Sequence, residues 1–537
     1  MRKSITISIL EIKNGKLYLA GRLFNLLSDE LIQIEDEKGN VTKLDPCRAP
    51  ALDTAADEKR KAREGYFYEC FLSLHAGAVY RFICSRKGEH SVLPIRFGKF
   101  SRLSKIDGSF FIYDKLAICS SDNEIRVVKA DFFTHRKLSR RFDTSLSDEA
   151  PDRVMELRRE ALSLKKSNKP IWLLSDRSDS AGDNGEAFFE YLMKDPDRTG
   201  ARDKYDIRFV ISSNSPDHAR MQAIGSVVDA GSYTHKVLYT AASMIISSSA
   251  DEWMRNPLGK DRKYLRDLLD SRYIFLQHGV IKDDLSSWLH KVNKNLDIFI
   301  TSSPAEWRSI CDGNYGYDES TVKLTGLARY DKLVDSAEKT IAILPTWRKY
   351  AAPDIIDGSS ERPYSESFKE SEYFRFYNEL INDKDLLEAM KSRGYKGMLY
   401  MHPNHMKQSV DFEGNDTISV WQGIVPFSRV FTESSLLVTD FSSVAIDFAY
   451  LGKPVVYTQF DKEKFFSTHS YIEGYYDYEK DGFGPVCYDR ASAVESMIKL
   501  IESDCAEPDI FKERVEGFFA YHDTHNCRRI YEEVSKL

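Results

Sequence analysis

Past Pro170 the chain alternates short apolar runs with longer amphipathic stretches, and no other feature restricts its fold as tightly. The runs Ile171-Trp-Leu-Leu-Ser175, Ile207-Arg-Phe-Val-Ile211, Met244-Ile-Ile-Ser-Ser248, Ile274-Phe-Leu-Gln277 and Ile298-Phe-Ile-Thr301 form a first series. A second begins at Ile341-Ala-Ile-Leu344 and continues through Met398-Leu-Tyr-Met401, Leu436-Leu-Val-Thr439 and Val455-Val-Tyr-Thr458. Strands buried on both faces read as continuous apolar runs, and parallel neighbours need crossovers of helical length between them. The rhythm predicts an α/β protein with two Rossmann-like lobes in tandem, at 171–335 and 336–537. A chain of 537 residues is in any case too long for one core.

Residues 1–132 read differently. Ile7-Ser-Ile-Leu-Glu-Ile12, Lys16-Leu-Tyr-Leu-Ala20, Tyr66-Phe-Tyr-Glu-Cys-Phe-Leu72, Tyr80-Arg-Phe-Ile-Cys84 and Ile125-Arg-Val-Val128 are short β-branched or aromatic segments, broken by turns such as Asn14-Gly15 and Lys38-Gly-Asn40. This predicts a small β-sandwich used for docking, assembly or support. Residues 133–170 form a helix-prone basic linker carrying Arg136, Lys137, Arg140, Arg141, Arg158, Arg159, Lys165, Lys166 and Lys169. Interspersed acids make a solvated helix the default, and attraction to anionic lipid or a polyphosphate chain is the sharper alternative.

The net charge of -7 argues against a dedicated nucleic-acid binder. Eight cysteines without CxxC pairs fit a reducing cytosol and give no zinc signature. The amino terminus does not read as a signal peptide, and no apolar run approaches the roughly 20 residues that cross a bilayer. A cytoplasmic protein with peripheral contact to the inner face of the cell membrane is expected.

Two histidines occupy matching positions. His278 and His402 each end a short apolar run, followed by Gly279 and Pro403, and Asp440-Phe-Ser-Ser443 ends a third run. Open α/β sheets build ligand sites where strands deliver polar residues at their carboxyl ends. A single His in such a place is more often a structural residue; the repeated setting points to a site between the lobes.

Gln277-His278-Gly279, Leu324-Thr-Gly-Leu-Ala-Arg-Tyr-Asp331, Leu344-Pro-Thr-Trp347, Met401-His-Pro403 and Thr439-Asp-Phe-Ser-Ser-Val444 occur in the order seen in CDP-glycerol glycerophosphotransferases. Over roughly residues 170–530 the chain resembles that teichoic acid polymerase family. The resemblance implies a GT-B architecture with the donor in the cleft, and a transfer of glycerol phosphate, or a related polyol phosphate such as ribitol phosphate, from a CDP-activated donor. The acceptor would be the terminal hydroxyl of a lipid-linked or polymeric teichoic acid or capsular chain, and CMP would be released.

It further implies that His278 is the general base, with Gly279 allowing close approach and Asp283 or Asp284 as candidates to orient the imidazole. Pro345, Thr346, Trp347, Met401, His402, Pro403, Thr439, Asp440, Ser442, Ser443 and Asp447 would line the donor side, His402 assisting the leaving group. Arg329 is a candidate phosphate contact, although Ala328 stands where the family often has Pro. The bland readings are specific too: Ser442 as a helix cap, Trp347 as core, Asp447 as a surface ion pair. Asp176–Glu186 reads as an acceptor-side loop or a helix start capped by Asn184, and Glu473–Tyr478 with Gly482–Pro485 as a loop over the cleft. No metal motif stands out, so no cofactor is expected to be required, with Mg²⁺ on the donor pyrophosphate still compatible. Homo-oligomerisation stays open. A GT-B glycosyltransferase using a nucleotide sugar is the alternative enzyme, and a non-catalytic polymer-binding scaffold is the alternative of another class.

Overall fold

The computed structural model describes residues 4–24, 26–48, 65–121, 123–166, 169–354, 362–423, 425, 427–469 and 472–537. Among them the chain forms four sheets. Two lie in the first 129 residues and pack around a shared core that includes Ile7, Leu19, Phe82, Ile118 and Val127. The hairpin joining Ile5–Lys13 to Lys16–Phe24 turns at Asn14 and Gly15, both with positive φ, as a tight two-residue turn requires.

The other two sheets are parallel. In the first, seven strands run edge to edge as Val227–Asp229, Asp206–Ile211, Ile171–Ser175, Met244–Ser247, Arg272–Phe275, Ile298–Thr301 and Val322–Leu324, a 3-2-1-4-5-6-7 order. In the second, six strands run as Ile418–Trp421, Lys396–Tyr400, Thr340–Ile343, Leu436–Thr439, Val455–Thr458 and Val486–Cys487, a 3-2-1-4-5-6 order. That reversal of strand order is the Rossmann pattern, and it opens a crevice at the carboxyl ends of the first and fourth strands. In the first lobe those ends lead into Asp176 and Ser248; in the second, into Leu344–Thr346 and Asp440.

One apolar cluster joins the lobes, with Leu276, Val280 and Leu327 from the first and Leu437, Ala445 and Phe448 from the second. The chain end reinforces it. The helix Asn526–Val534 returns to the first lobe, where the Asp331 carboxylate accepts from the backbone N–H of Asn526 (2.8 Å) and Cys527 (2.7 Å). Tyr531 packs beside Trp172.

The basic stretch is no simple solvated linker. Its helices, Phe132–Glu149 and Asp152–Lys165, bury Phe142, Leu146, Val154, Leu157 and Ala161 in the core of the first lobe. Arg158 and Arg153 pair with Asp267 and Asp261, and Arg141 with Asp107. Arg262 and Arg266 then tie the β-rich unit to the lobe by donating to the carbonyls of Lys99 (2.6 Å) and Gly98 (2.5 Å). This leaves the first lobe clamped on two sides, with its crevice facing the second lobe.

Candidate functional site

The His278 loop is held in an unusual shape. Gln277 adopts a left-handed backbone at φ 64°, a conformation that costs a non-glycine residue on the order of 1 kcal/mol and persists only when its surroundings impose it. Here they do. The Gln277 carbonyl accepts from Asn184 Nδ2 (2.8 Å), and its side chain donates to Glu306 Oε1 (3.0 Å) and to the Ile300 carbonyl. Glu306 Oε1 also accepts from the N–H of Ile281 (2.7 Å), and Oε2 from the N–H of Ser302 (2.8 Å). Glu306 is wholly buried, and burial pushes its carboxyl up to about 7 although four hydrogen bonds pull the other way. It stands at the third position of the helix Pro304–Asp312, whose cap Ser303 accepts its N–H.

His278 itself is exposed, its ring near those of Phe275 (6.5 Å) and Trp288 (6.3 Å). Desolvation lowers its pKa below the ordinary value, with the nearby Asp183 carboxylate opposing. The imidazole is therefore neutral at pH 7, the form a base needs. Trp288 stands edge-on 6.3 Å away and donates from Nε1 to Asp251 (2.9 Å), a second carboxylate within electrostatic reach of the ring.

Two expectations are corrected here. Asp283 is engaged by Lys282 (2.6 Å), and Asp284 accepts from the Ser286 N–H (2.8 Å) while its backbone pairs with Ile472. The carboxylate that acts on His278 is Asp183, which caps the helix Asn184–Lys194. Asn184 is not the cap; it is fully buried and links the loops of Gln277 and Arg329.

The lobes meet at this loop. A Cβ added to Gly279 would stand 3.0 Å from Ser443 Oγ, so the residue after the histidine faces the Asp440-Phe-Ser-Ser443 turn directly. Beside it Arg329 bridges the lobes, donating to Asp183 (2.8 Å) and Asp447 (2.5 Å). Desolvation opposes the Arg329 charge, and the two carboxylates outweigh it; burial raises the Asp447 pKa against the same pairing. The guanidinium expected to hold phosphate is thus engaged as a latch, and Asp447 is its buried partner instead of a surface charge.

On the second lobe Asp440 is fully buried, and both oxygens are occupied by protein. Oδ1 accepts from the N–H of Thr346 (2.9 Å) and Phe441 (2.6 Å), and Oδ2 from Arg348 (2.8 Å) and Tyr377 (3.3 Å). Arg348, also fully buried, is held bidentately by Asp461 (2.7 and 2.9 Å). Asp440 consequently shapes the turn, and Ser442 and Ser443 are partly exposed, Ser442 Oγ accepting from the Val444 N–H (3.4 Å) as a helix cap would. Ser443 precedes the short helix Val444–Tyr450 and makes no side-chain cap. Thr439 is buried and bonds the Leu344 carbonyl (2.7 Å); Met401 and Pro345 are likewise interior, and Pro403 is exposed.

His402 is half-buried. Its Nδ1 accepts from the Asn404 N–H (3.1 Å), which leaves Nε2 as the proton-bearing nitrogen. Desolvation first, then His469, lowers its pKa to about 4, so near neutrality it is a neutral donor. Trp347 is partly exposed between the rings of His402 (6.2 Å) and His469 (4.6 Å), and Arg362 lies over its face. Thr346 Oγ1 is buried without a partner. The loop from Ile472 to Tyr478 crosses from the second lobe onto the first, and a Cβ at Gly474 would collide with the Lys282 carbonyl at 2.3 Å. Among the described residues no three His, Cys, Asp or Glu side chains gather as a metal site.

Sequence reasoning missed Glu306, Arg348, Asp461 and the buried Asp176, which accepts from the N–H of Asp183 (3.0 Å) and Gly185 (2.7 Å). Only Glu306 had a local signal, in Ser303-Pro-Ala-Glu306.

Residues 156–536 match the family described as CDP-Glycerol:Poly(glycerophosphate) glycerophosphotransferase. The chain is 41% identical over 372 residues to the minor teichoic acid biosynthesis protein GgaB of Bacillus subtilis, covering 69% of this chain and 40% of that protein. It is 22% identical over 386 residues to the teichoic acid poly(ribitol-phosphate) polymerase of Bacillus spizizenii, covering 69% and 56%. It thus spans only about half the length of these relatives. The solved wall teichoic acid polymerase TagF shares the fold, with a TM-score of 0.50 at 18% identity, covering 76% of this chain and 98% of that one.

Proposed function

This chain belongs to the CDP-glycerol:poly(glycerophosphate) glycerophosphotransferase family, and on that premise we propose that it transfers a polyol phosphate, glycerol phosphate or ribitol phosphate, from a CDP-linked donor to the terminal hydroxyl of a teichoic acid or capsular chain. The lobes would work as a GT-B pair, acceptor on the first and donor on the second. The observation that carries this reading is the meeting of His278-Gly279 with Ser443, which brings the histidine loop of one lobe against the Ser443 hydroxyl of the other.

In the proposed step His278 takes the proton of the acceptor hydroxyl as its oxygen attacks the β-phosphorus. The new P–O bond forms while the bond to the α-phosphate oxygen breaks, and CMP departs with that electron pair. Such transfers leave little covalent work for protein, so positioning and charge stabilisation dominate. The Ser442 and Ser443 hydroxyls and the His402 Nε2–H would donate to the phosphate oxygens, and Thr346 Oγ1 is available for the donor. Mg²⁺ would enter, if at all, on the donor pyrophosphate. No helix of the described residues is long and apolar enough to cross a membrane, and a lipid-linked acceptor would be reached by peripheral attachment.

Purified protein offered CDP-glycerol, CDP-ribitol or nucleotide sugars with a polyol-phosphate acceptor tests this. Acceptor-dependent CMP from a CDP-polyol supports the reading and names the polyol. Nucleoside diphosphate from a sugar donor, with neither CDP-polyol used, overturns it.

A further inference from the structure

The β-rich unit and the first lobe share a strongly cationic seam. Strands Lys16–Phe24 and Gly65–Leu72 seat the short helix Lys291–Lys294 and its cap: Phe67 stacks on His290 at 3.8 Å, and Val292 is buried among Ile9, Tyr18 and Phe67. Arg22 and Lys99 enter the seam from the β-rich unit, and Arg255, Arg262 and Lys294 from the lobe. Among the described residues only two carboxylates pair with these five cations: Glu252 with Lys99 (3.3 Å) and Arg262, and Asp251 with Lys294 (2.8 Å). Arg22 has the amide oxygen of Asn293 instead and lies over the Phe67 ring. Arg255 is 7% exposed and lies 3.3 Å from the centre of the Tyr273 ring, with Nε and Nη2 unpartnered among the described residues. A buried charged donor in that state is unfavourable until an acceptor reaches it. The crowding shows in the lysines: burial first, then Arg255, Arg262 and Arg22, lowers Lys99 to about 8, and burial, with Lys99 and Arg255 adding, lowers Lys294 to about 8 despite Asp251. Asp251 carries the seam to the cleft, for it also accepts from Trp288 Nε1 (2.9 Å), whose ring stands 6.3 Å from that of His278.

We propose that this seam holds the phosphodiester chain of the acceptor, behind the terminal polyol whose hydroxyl meets His278. The part-exposed Arg22, Lys99 and Arg262 face the phosphates, and the buried Arg255 and Lys294 add charge behind them. Five cations against two carboxylates leave three positive charges, and a polyol-phosphate chain brings one negative charge with each unit. Guanidinium forks suit phosphate oxygens, and burial strengthens each pairing above its worth at an open surface. The inference rests on the reading of the acceptor as a polyol-phosphate chain, and gives the β-rich unit a part in binding it. Arg22 and Lys99 both precede residues 156–536, so the family resemblance does not supply this site.

Calorimetric titration of the full chain with short synthetic oligomers of glycerol phosphate and of ribitol phosphate tests it. The wild type is expected to bind at least one of them, more weakly as salt is added. Arg22→Gln and Lys99→Gln should each weaken that binding on the order of tenfold, with affinity for the CDP-linked donor and the thermal midpoint close to wild type. Lys99→Arg keeps the charge and should bind the oligomer as the wild type does. Oligomer affinity unchanged in both glutamine variants, an equal loss in Lys99→Arg and Lys99→Gln, or no binding by the wild type overturns the seam. The titration needs no turnover, so oligomer binding without CMP release would strike the proposed function and leave the seam standing.

Discussion

Glu306→Gln tests whether the His278 loop is built by a buried carboxylate. Glu306 receives two donors at each oxygen: Gln277 Nε2 and the Ile281 N–H at one, the Ser302 N–H and hydroxyl at the other. Glutamine keeps one acceptor and turns an NH₂ toward the remaining donors, leaving a buried backbone N–H unpaired at about 1–3 kcal/mol. Glu306→Ala removes both acceptors, strands three strong donors and should cost roughly 3–5 kcal/mol. The pH dependence has a definite sign. A carboxyl raised from 4.5 to about 7 contributes stability that is fully present below 4.5 and is lost as pH rises through 7. The difference of 2.5 units corresponds to roughly 3 kcal/mol. Thermal midpoints at pH 5 and pH 8 should therefore differ less in Glu306→Gln than in wild type. Because Gln277 keeps its strained backbone only through these contacts, kcat should fall at least about tenfold, with donor affinity unchanged on the other lobe. Wild-type kcat and an unaltered pH dependence of the midpoint would refute this reasoning.

Ser443→Ala removes a donor expected to contact the pyrophosphate, and calorimetry should show donor affinity weakened by about 1 kcal/mol or more, with unfolding unchanged. Arg348→Ala strands Asp440 and Asp461 in the interior; a loss of about 3–5 kcal/mol is expected by denaturant unfolding. Burial holds the His278 pKa below its ordinary 6.5, so kcat/KM should fall as pH drops and the imidazole gains its proton, with a midpoint below pH 6.5. A midpoint above pH 7 would contradict the assignment.

The strands of both parallel sheets were legible because burial on two faces leaves no polar alternation to confuse them. Short edge strands such as Val227–Asp229 and Val486–Cys487 were not, since three or two residues carry no period. Gln277-His278-Gly279 and Asp440-Phe-Ser-Ser443 were found as motifs, and the structure sets them face to face. What the motif could not show was division of labour: Asp440 lies inside and holds the turn, and Arg329 is taken up by Asp183 and Asp447. Arg348 and Asp461 are 113 positions apart, and only tertiary packing makes them one group. Asp183 was passed over for Asn184 because either residue type caps a helix; their difference is burial, which sequence does not record.

The account stands most directly on His278. Single-turnover transfer by His278→Ala, measured beside calorimetric titration with the CDP-linked donor, separates chemistry from binding. The account predicts transfer reduced by about 100-fold or more with donor affinity nearly unchanged. Wild-type transfer in that variant would remove the histidine from the mechanism and with it the role assigned to the cleft.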